Sequence, residues 1–424
     1  MLVSHPAYGD LTMKRLALIV VPLFLLAAAA CADQLVTAPQ EALSSTDESS
    51  ETTYDILALS PLSGHSSSWG VDINDANVIV GTSWGSGQSP DCCDSRIFRW
   101  VDGVVEDIGD GEPHGINNTG AVVAWTREEN GRPLSVLRDD HQEFLSLSAG
   151  GWWRADQMIN DAGTVAGRRV KPDEDGNLWQ DGTAVWHAGD GYSLSIPLGL
   201  PADCDDLPED RNCSSPDPWA INSNGDVVGD FLYSYDGGWY RIAAIWFAGD
   251  YDNPIWLQRG TWGNRRIARG VNDAGWIVGS VRTERAAVWI PGADGEYGAA
   301  TELPHFQDGS TTGRAQAVSE PDGNGTVRIV GVADDRPALW IVTHDGQISG
   351  PVNLGTPSRY NRGEARAINS NGWILGHASS NRSSVAVIWR PQQPGGGDDD
   401  DDEKDPPESD PEPCVRRGNS NNCK

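Results

Sequence analysis

A short motif that recurs along most of the chain restricts the folds that this sequence can adopt. Each copy has Ile or Val, then Asn, then Gly or Asn three residues after that Asn; six copies are clear and one is degraded. The seven copies begin at Ile73, Ile116, Ile159, Ile221, Val271, Val318 and Ile368. Similar segments that recur at the spacing of these seven copies predict a repeat architecture in which each copy is one structural unit.

Each copy predicts four short antiparallel strands. The Asn-x-x-Gly segment predicts a tight turn, because Asn and Gly accept the left-handed backbone conformations that such turns need. A β-branched run ending in Gly follows, and a third strand then ends in Trp in six copies. Those tryptophans are Trp100, Trp186, Trp246, Trp289, Trp340 and Trp389, and Leu134–Leu137 takes this place in the second copy. Four strands per unit match a β-propeller blade.

The two ends of the repeat region predict how a ring would close. The last copy stops after its third strand at Trp389, and an extra strand, Tyr54–Leu59, precedes the first copy. Pairing the two would complete the last blade and remove exposed sheet edges. We therefore expect an all-β fold: a seven-bladed β-propeller of four-stranded antiparallel blades over residues 54–390, closed by an N-terminal strand.

The N-terminal region has the layout of a bacterial export signal. Met13 begins a segment with two positive charges, an apolar run and small residues before Cys31. The run is shorter than the roughly 20 residues that span a bilayer. We expect residues 1–30 to be a signal peptide whose true start is Met13, and residues 31–53 to be a tether lipidated at Cys31. The protein would then be exported and lipid-anchored in the cell envelope, at the outer membrane or cell surface. Secretion with cleavage elsewhere and a retained transmembrane helix are the alternatives.

The other six cysteines fall into three local pairs, which predicts disulfides in an exported protein. The pairs are Cys92/Cys93, Cys204/Cys213 and Cys414/Cys423. The second and third pairs would close short loops, whereas the adjacent first pair could form a vicinal disulfide or remain as thiols.

The charge of the chain excludes one class of partner. The formal net charge is −30 and no basic stripe interrupts it, so nucleic acid would be repelled. Part of this charge lies in residues 391–413, which predict an acidic, Pro- and Gly-rich linker before a disulfide-closed tail over residues 414–424. No cofactor or metal ligand set is indicated. We expect a monomer that meets the membrane only through its lipid.

The first strand of each copy supplies the candidate binding site. Inner strands of a propeller converge on one axis, so side chains at one height form a ring. Two residues before the conserved Ile or Val stand Val71, His114, Gln157, Trp219, Arg269, Gln316 and Arg366. We predict that the last six bind a ligand at the channel mouth, with arginine pairing with an acid group and Trp219 stacking. Alternatively they are solvated lining residues or, after a one-residue shift in alignment, packing partners between blades.

The connections after the second and fourth strands are long and variable, so we expect specificity on the face that bears them. Half of the 18 tryptophans stand in or next to these connections, namely Trp69, Trp84, Trp125, Trp152, Trp153, Trp179, Trp219, Trp239 and Trp262. They either stack on ligands or roof the scaffold. The Asn-rich turns are explained by folding alone. We assign no catalytic residue, because no nucleophile with a base and no carboxylate pair at equivalent heights stands out.

The fifth copy carries the fullest form of the motif. It reads ARGVNDAGWIVG over Ala268–Gly279, followed by RAAVW over Arg285–Trp289. This pattern resembles the HAF-type extracellular repeat of exported bacterial proteins, over roughly residues 54–390. The resemblance implies an extracellular location and a propeller-like fold, and it implies no activity.

These features favour a surface-anchored lipoprotein that acts as a binding or interaction module. Its partner would be a glycan, an envelope polymer or a cell-surface protein. The alternatives are a polysaccharide-active hydrolase or lyase on a propeller scaffold, and a structural envelope protein. The ring position argues against an enzyme, because it offers Arg, Gln, His and Trp rather than Asp or Glu.

Overall fold

Antiparallel strands make up most of the chain that the structure describes. The computed structural model describes residues 53–86, 95–126, 134–138, 141–144, 158–172, 178–204, 212–235, 238–257, 266–282, 284–307, 309–310 and 312–392. The helical segments within these ranges are two 3-10 turns, Ala188–Asp190 and Ala202–Cys204. The same ranges contain no helix with the length and apolar character that a membrane span requires.

Twenty-six strands cover these ranges. In chain order they are β1 Tyr54–Leu59, β2 Ser67–Ile73, β3 Ile79–Trp84, β4 Arg96–Val101, β5 Val104–Ile116, β6 Val122–Thr126, β7 Leu134–Arg138, β8 His141–Phe144, β9 Val165–Pro172, β10 Leu178–Trp186, β11 Ser195–Pro197, β12 Asn212–Ile221, β13 Val227–Tyr235, β14 Gly238–Phe247, β15 Asp250–Trp256, β16 Ile267–Val271, β17 Ile277–Val281, β18 Arg285–Trp289, β19 Thr301–Glu302, β20 Gly313–Val318, β21 Val327–Ala333, β22 Arg336–Val342, β23 Ile348–Asn353, β24 Arg362–Ile368, β25 Ile374–Ser379 and β26 Ser384–Pro391.

Hydrogen bonding groups the strands into six sheets. Three consecutive four-stranded sheets are β12 to β15, β16 to β19 and β20 to β23, and a three-stranded sheet is formed by β9, β10 and β11. One sheet has seven strands, β2 to β8, because the long strand β5 pairs with β4 in its first half and with β6 in its second. The predicted all-β, propeller-like arrangement of four-stranded antiparallel sheets is confirmed, although the sheets number six.

The sixth sheet joins the two ends of the repeat region. Its order is β1, β26, β25, β24, so a strand from the N-terminal end completes a sheet of the last copy. Strand β1 pairs antiparallel with β26 from Tyr54 opposite Pro391 to Leu59 opposite Ala386. The predicted closing strand is confirmed over Tyr54–Leu59, the residues that the sequence indicated.

Asparagine side chains connect the motif copies to one another. In each bond the Asn Nδ2 donates to the backbone carbonyl of the equivalent residue in the next copy, at 2.8–3.1 Å. The donors are Asn74, Asn117, Asn160, Asn222, Asn272 and Asn369, and the last of these donates to Asn74. The series is interrupted at Ser319, in the degraded copy, whose hydroxyl donates to the carbonyl of Glu320. We call this series the asparagine belt.

Each belt asparagine also shapes its own turn. In the second copy, Asn117 accepts the N–H of Ala121 through Oδ1 at 2.9 Å, and Gly120 adopts a φ of 83°. That backbone conformation favours glycine, which explains the Asn-x-x-Gly spacing. The turn residues therefore have the structural role expected of them.

The hydrophobic core lies between adjacent sheets. Residues Ala166 and Val185 of the three-stranded sheet pack with Phe231 and Trp246 of the next sheet, and similar clusters join the sheets that follow. The recurring tryptophans of the third strands are 0–5 % exposed. Three of them, Trp246, Trp340 and Trp389, also donate Nε1–H to a carbonyl of the preceding repeat. The indole of each thus fills the core and also bonds a backbone carbonyl at its edge.

One predicted disulfide is present. Cys204 and Cys213 are bonded, and Cys213 is buried beside Tyr233 in the core under β12 to β14. The other cysteines, Cys31, Cys92, Cys93, Cys414 and Cys423, lie outside the described residues.

Deleting residues 54–59 should lower the melting temperature of the whole ring, because β26 loses its partner and the closure opens. Thermal unfolding followed by circular dichroism measures this. A transition unchanged by the deletion would contradict the closure.

Two point variants provide a matched comparison within β1. Leu59 is 3 % exposed and Ile56 is 41 % exposed. Leu59→Ala should lower the free energy of unfolding by about 2–5 kcal/mol, whereas Ile56→Ala should cost much less, since a cavity forms only at the buried site.

Candidate functional site

The two ends of the ring differ in chemistry. At the turn end, where the inner strands finish, a cavity of about 280 Å³ is lined by residues of all seven motif copies. Its carboxylates are Asp72, Asp75, Asp161, Asp273 and Glu320. Burial raises the pKa of Glu320; the backbone N–H of Asp273 opposes this increase, and the charges of Asp273 and Asp75 add to it. Side-chain oxygens here accept backbone N–H groups of neighbouring copies, as Asp161 does from Asn118. These contacts stabilise the ring, and we assign no ligand to them.

A β-bulge occurs at the same place in each of six inner strands. The register shifts flank Val71, His114, Trp219, Arg269, Gln316 and Arg366. A bulge places two residues opposite one and re-aims the extra side chain. The predicted ring residues are thus the extra residues of a repeated bulge, apart from Gln157, which lies outside the described residues. His114 is 1 % exposed and meets Trp125 of its own sheet edge-on, so it packs into the core.

Four of the predicted residues lie in two separate places, and two of them, Trp219 and Arg269, contact each other. The guanidinium carbon of Arg269 lies 4.5 Å from the ring centroid of Trp219, a cation–π contact between neighbouring sheets. Gln316 donates from Nε2 to Oε1 of Glu364, two residues from Arg366. The structure therefore forms two local clusters at the loop-bearing end, where the inner strands begin.

Inner-strand carboxylates were missed by the sequence analysis. Glu112, Asp217 and Glu364 each stand four residues before the conserved Ile, and their side chains are largely buried. The expectation that no carboxylate pair stands out at equivalent heights is therefore wrong. These carboxylates could have been found from the sequence, because each stands two positions before the predicted ring residue of its strand. The register shift of the bulge begins between the two positions.

The first cluster, which we call the Asp217 cluster, consists of Arg168, Asp217, Trp219, Asp230 and Arg241. Arg168 Nη2 lies 2.5 Å from Asp217 Oδ1. Arg241 Nη1 lies 3.1 Å from Asp217 Oδ2 and 2.6 Å from Asp230 Oδ1. Trp219 Nε1 donates to Asp230 Oδ2 at 3.0 Å. The four charged side chains are at most 14 % exposed, so their desolvation is costly and depends on this pairing.

Asp230 is a buried carboxyl with an unusual proton affinity. Burial raises its pKa to about 6, and Asp217 adds to the increase, while Arg241 and the Trp219 N–H oppose it. A carboxyl with such a pKa can exchange a proton near neutral pH.

The second cluster, which we call the Glu364 cluster, consists of Arg314, Gln316, Glu364, Arg366 and His377. Burial alone would raise the pKa of Glu364, but the cations of the cluster outweigh it and hold the pKa at about 2. The strongest is Arg314, whose Nη2 lies 3.1 Å from Glu364 Oε2. The His377 ring stacks at 4.8 Å on Trp69 of the adjacent sheet.

The sheet formed by β12 to β15 projects at the loop-bearing end beyond the sheet that follows it. Strands β13 and β14 have nine and ten residues, whereas the equivalent β17 and β18 of the next sheet have five each. Strand β12 follows the projection, with Cys213 opposite Tyr233. The Cys204–Cys213 disulfide joins the start of β12, near the outer end of the projection, to the preceding 3-10 turn.

Among the residues in the described ranges, no group of three or more His, Cys, Asp or Glu side chains is placed to hold a metal ion. The contacts of the two clusters offer ion pairing, hydrogen bonding, aromatic stacking and proton transfer.

The free energy of unfolding of Asp230→Asn should rise relative to that of the unmodified protein as pH increases. Because the folded-state pKa of Asp230 is raised, its protonated form favours folding; that stability is present below about pH 4 and lost as pH rises through about 6. The difference in the free energy of unfolding between Asp230→Asn and the unmodified protein should reach about 3 kcal/mol. Urea unfolding across this window measures it.

Glu364→Gln is the control, because it has the opposite sign. The pKa of Glu364 is depressed, so its stability is present above about pH 4.5 and lost as pH falls through about 2. If the difference in the free energy of unfolding between Asp230→Asn and the unmodified protein does not change between about pH 4 and about pH 6, the buried-acid interpretation is wrong.

Comparisons with known proteins show only distant similarity. No family model matches the chain, and no curated protein matches it. A catalytically inactive virginiamycin B lyase from Staphylococcus aureus superposes with a TM-score of 0.44 and 11 % identity, covering 80 % of this chain and 100 % of that one. The β-propeller domain of Cps50 (Swd1) from Myceliophteria thermophila gives 0.44 and 14 %, covering 80 % and 100 %. A gluconolactonase from Xanthomonas campestris gives 0.38 and 12 %, covering 80 % and 90 %. These structures differ in activity, and we assign none of those activities to this chain.

Proposed function

We propose that this chain is an exported lipoprotein, lipidated at Cys31, whose propeller binds a glycan at the loop-bearing end of its channel. The proposal includes seven blades. In this count the seven-stranded sheet contributes two blades that share β5, and the three-stranded sheet gains its inner strand at Ile159, which bridges to Val165. Seven motif copies lining one cavity support it.

The observation that carries the binding role is the concentration of arginines at the loop-bearing end. Arg168, Arg241, Arg269, Arg314 and Arg366 lie in or beside the two clusters, in a chain with a net charge of −30. Buried and partly buried charges are costly, and perturbed ionisable groups concentrate at functional sites. A carboxylated sugar suits Arg269 and Arg366 at the bulge positions, because guanidinium forms paired hydrogen bonds with carboxylates.

The bulge residues at the mouth provide the contact groups. Arg269 and Trp219 are partly exposed and stacked on one another, so a ligand can reach both a cation and an aromatic edge. The acids of the clusters are more deeply buried and would hold the arginines in place rather than meet the ligand.

A second candidate function is a polysaccharide-active enzyme, and Asp230 favours it. A carboxyl whose pKa is raised to about 6 suits a general acid, and Glu112, Asp217 and Glu364 are further carboxylates at the same end. Release of new reducing or unsaturated ends from a polysaccharide panel, abolished by Asp230→Asn, would establish this function. A protein that neither binds nor cleaves any glycan would instead favour a structural envelope role.

Cys31→Ser should release the protein from membranes, because firm anchoring needs the acyl chains that a lipidated cysteine carries. Detergent phase partitioning and cell fractionation measure this, with Cys92→Ser as the control. Retention of the Cys31→Ser protein in the membrane fraction would refute the anchor.

Arg269→Ala should weaken binding of hexagalacturonate, a carboxylated oligosaccharide, by about tenfold or more, whereas Arg269→Lys should retain part of the affinity, because Lys keeps the charge but loses the paired geometry. Calorimetric titration measures both. The exposed Arg359→Ala is the control. An unchanged affinity in Arg269→Ala would exclude the channel mouth as the binding site.

A further inference from the structure

The projecting part of β12, β13 and β14 has two different faces. On one face, Cys213, Phe231, Tyr233 and Ile242 are buried in the core that continues beneath the projection. The alternate residues lie on the opposite, solvent-side face, where Asn212 and Trp239 are exposed and the others are half-buried. The projection is therefore a three-stranded surface on a packed base rather than a loose hairpin.

Strand register places a polar and aromatic row across the solvent face. Asn212 pairs with Ser234, and Ser234 pairs with Trp239, so an amide, a hydroxyl and an indole stand side by side on three strands. Neighbouring strands lie about 4.8 Å apart, so the row spans roughly 10 Å. Trp239 is 57 % exposed, and the other tryptophans among the described side chains are buried or half-buried.

A second row lies one step nearer the channel. It contains Ser214, Leu232 and Arg241, which are partly exposed. Trp239 and Arg241 are two residues apart on β14, so both side chains project from the same face. Because Arg241 belongs to the Asp217 cluster, this surface is continuous with the channel mouth.

The chemistry of the outer row suits an uncharged sugar ring. A pyranose has a face of C–H groups, which packs on an exposed indole, and hydroxyls at its rim, which need hydrogen-bonding partners. Asn212 has donors and an acceptor, and Ser234 has one hydroxyl that can do both. A purely apolar partner would leave these groups unpaired.

The charges of this surface argue against an acidic polymer or a basic peptide as its ligand. The outer row carries no charge, and the cation of the inner row is already paired with Asp217 and Asp230. An acidic polymer gains no cation here and meets a protein of net charge −30. A basic peptide finds no carboxylate in the outer row.

We propose that the solvent face formed by Asn212, Ser234 and Trp239 is a binding site for an uncharged pyranose unit of a polysaccharide. This inference rests on the glycan-binding function proposed above and adds a second, chemically distinct subsite outside the channel. The indole stacks on the C–H face of the sugar, and the amide and hydroxyl bond its rim.

The test uses the full chain with cellohexaose and chitohexaose as uncharged probes, followed by tryptophan fluorescence and calorimetry. The unmodified protein binds at least one of them, Trp239→Ala weakens that binding by about tenfold or more, and Trp239→Phe retains most of it. Val104→Ala, at a residue 67 % exposed in another sheet, is the matched surface control and leaves binding unchanged.

Two results would overturn the proposal: neither probe binds at about 1 mM, or both bind Trp239→Ala as they bind the unmodified protein. Hexagalacturonate measured beside them separates this site from the channel mouth. Binding of the acidic probe that depends on Arg269, with no binding of the uncharged probes, refutes the Trp239 site alone. Absence of binding by all three refutes both.

Discussion

The asparagine belt is the interaction on which the rest of the ring depends. Each side-chain bond joins the turn of one copy to the backbone of the next, at 2.8–3.1 Å. The donors are buried, so losing one would leave polar groups unsatisfied. Because the belt aligns every inner strand at its turn end, residues equally far from the turn reach the same height. That alignment gives the candidate site its common level.

The two ends of the ring have different roles: the turn end stabilises the ring, and the loop-bearing end carries the candidate binding site. At the turn end, polar side chains are largely used in bonds between copies. At the loop-bearing end, the repeated bulge re-aims one residue per strand, and these residues differ from copy to copy, from Val71 to Arg366. A repeated scaffold with variable residues at one end is the arrangement by which binding specificity changes without altering the fold.

Most of the fold was predictable from the sequence, whereas the site was predictable only in part. Strand order, the recurrence of Trp246 and Trp389 at the ends of third strands, and the closing strand over Tyr54–Leu59 all follow from the recurring motif and the strand pattern around it. The predicted ring included Trp219 and Arg269, which do meet. The buried partner Asp230 was not predictable in the same way, because it lies on a second strand and no spacing within the inner strands points to it.

The sequence by itself determined the repeat, the turns, the strand alternation and the closure, since these depend on local backbone preferences and on which face of a strand is apolar. Only the tertiary structure decided which charges meet. Arg168 and Asp217 are 49 residues apart in the chain, and Gln316 and Glu364 are 48 apart. Those contacts depend on a bulge that changes side-chain direction and on the packing of neighbouring sheets, and pairing across such distances is set by the folded ring rather than by any local pattern.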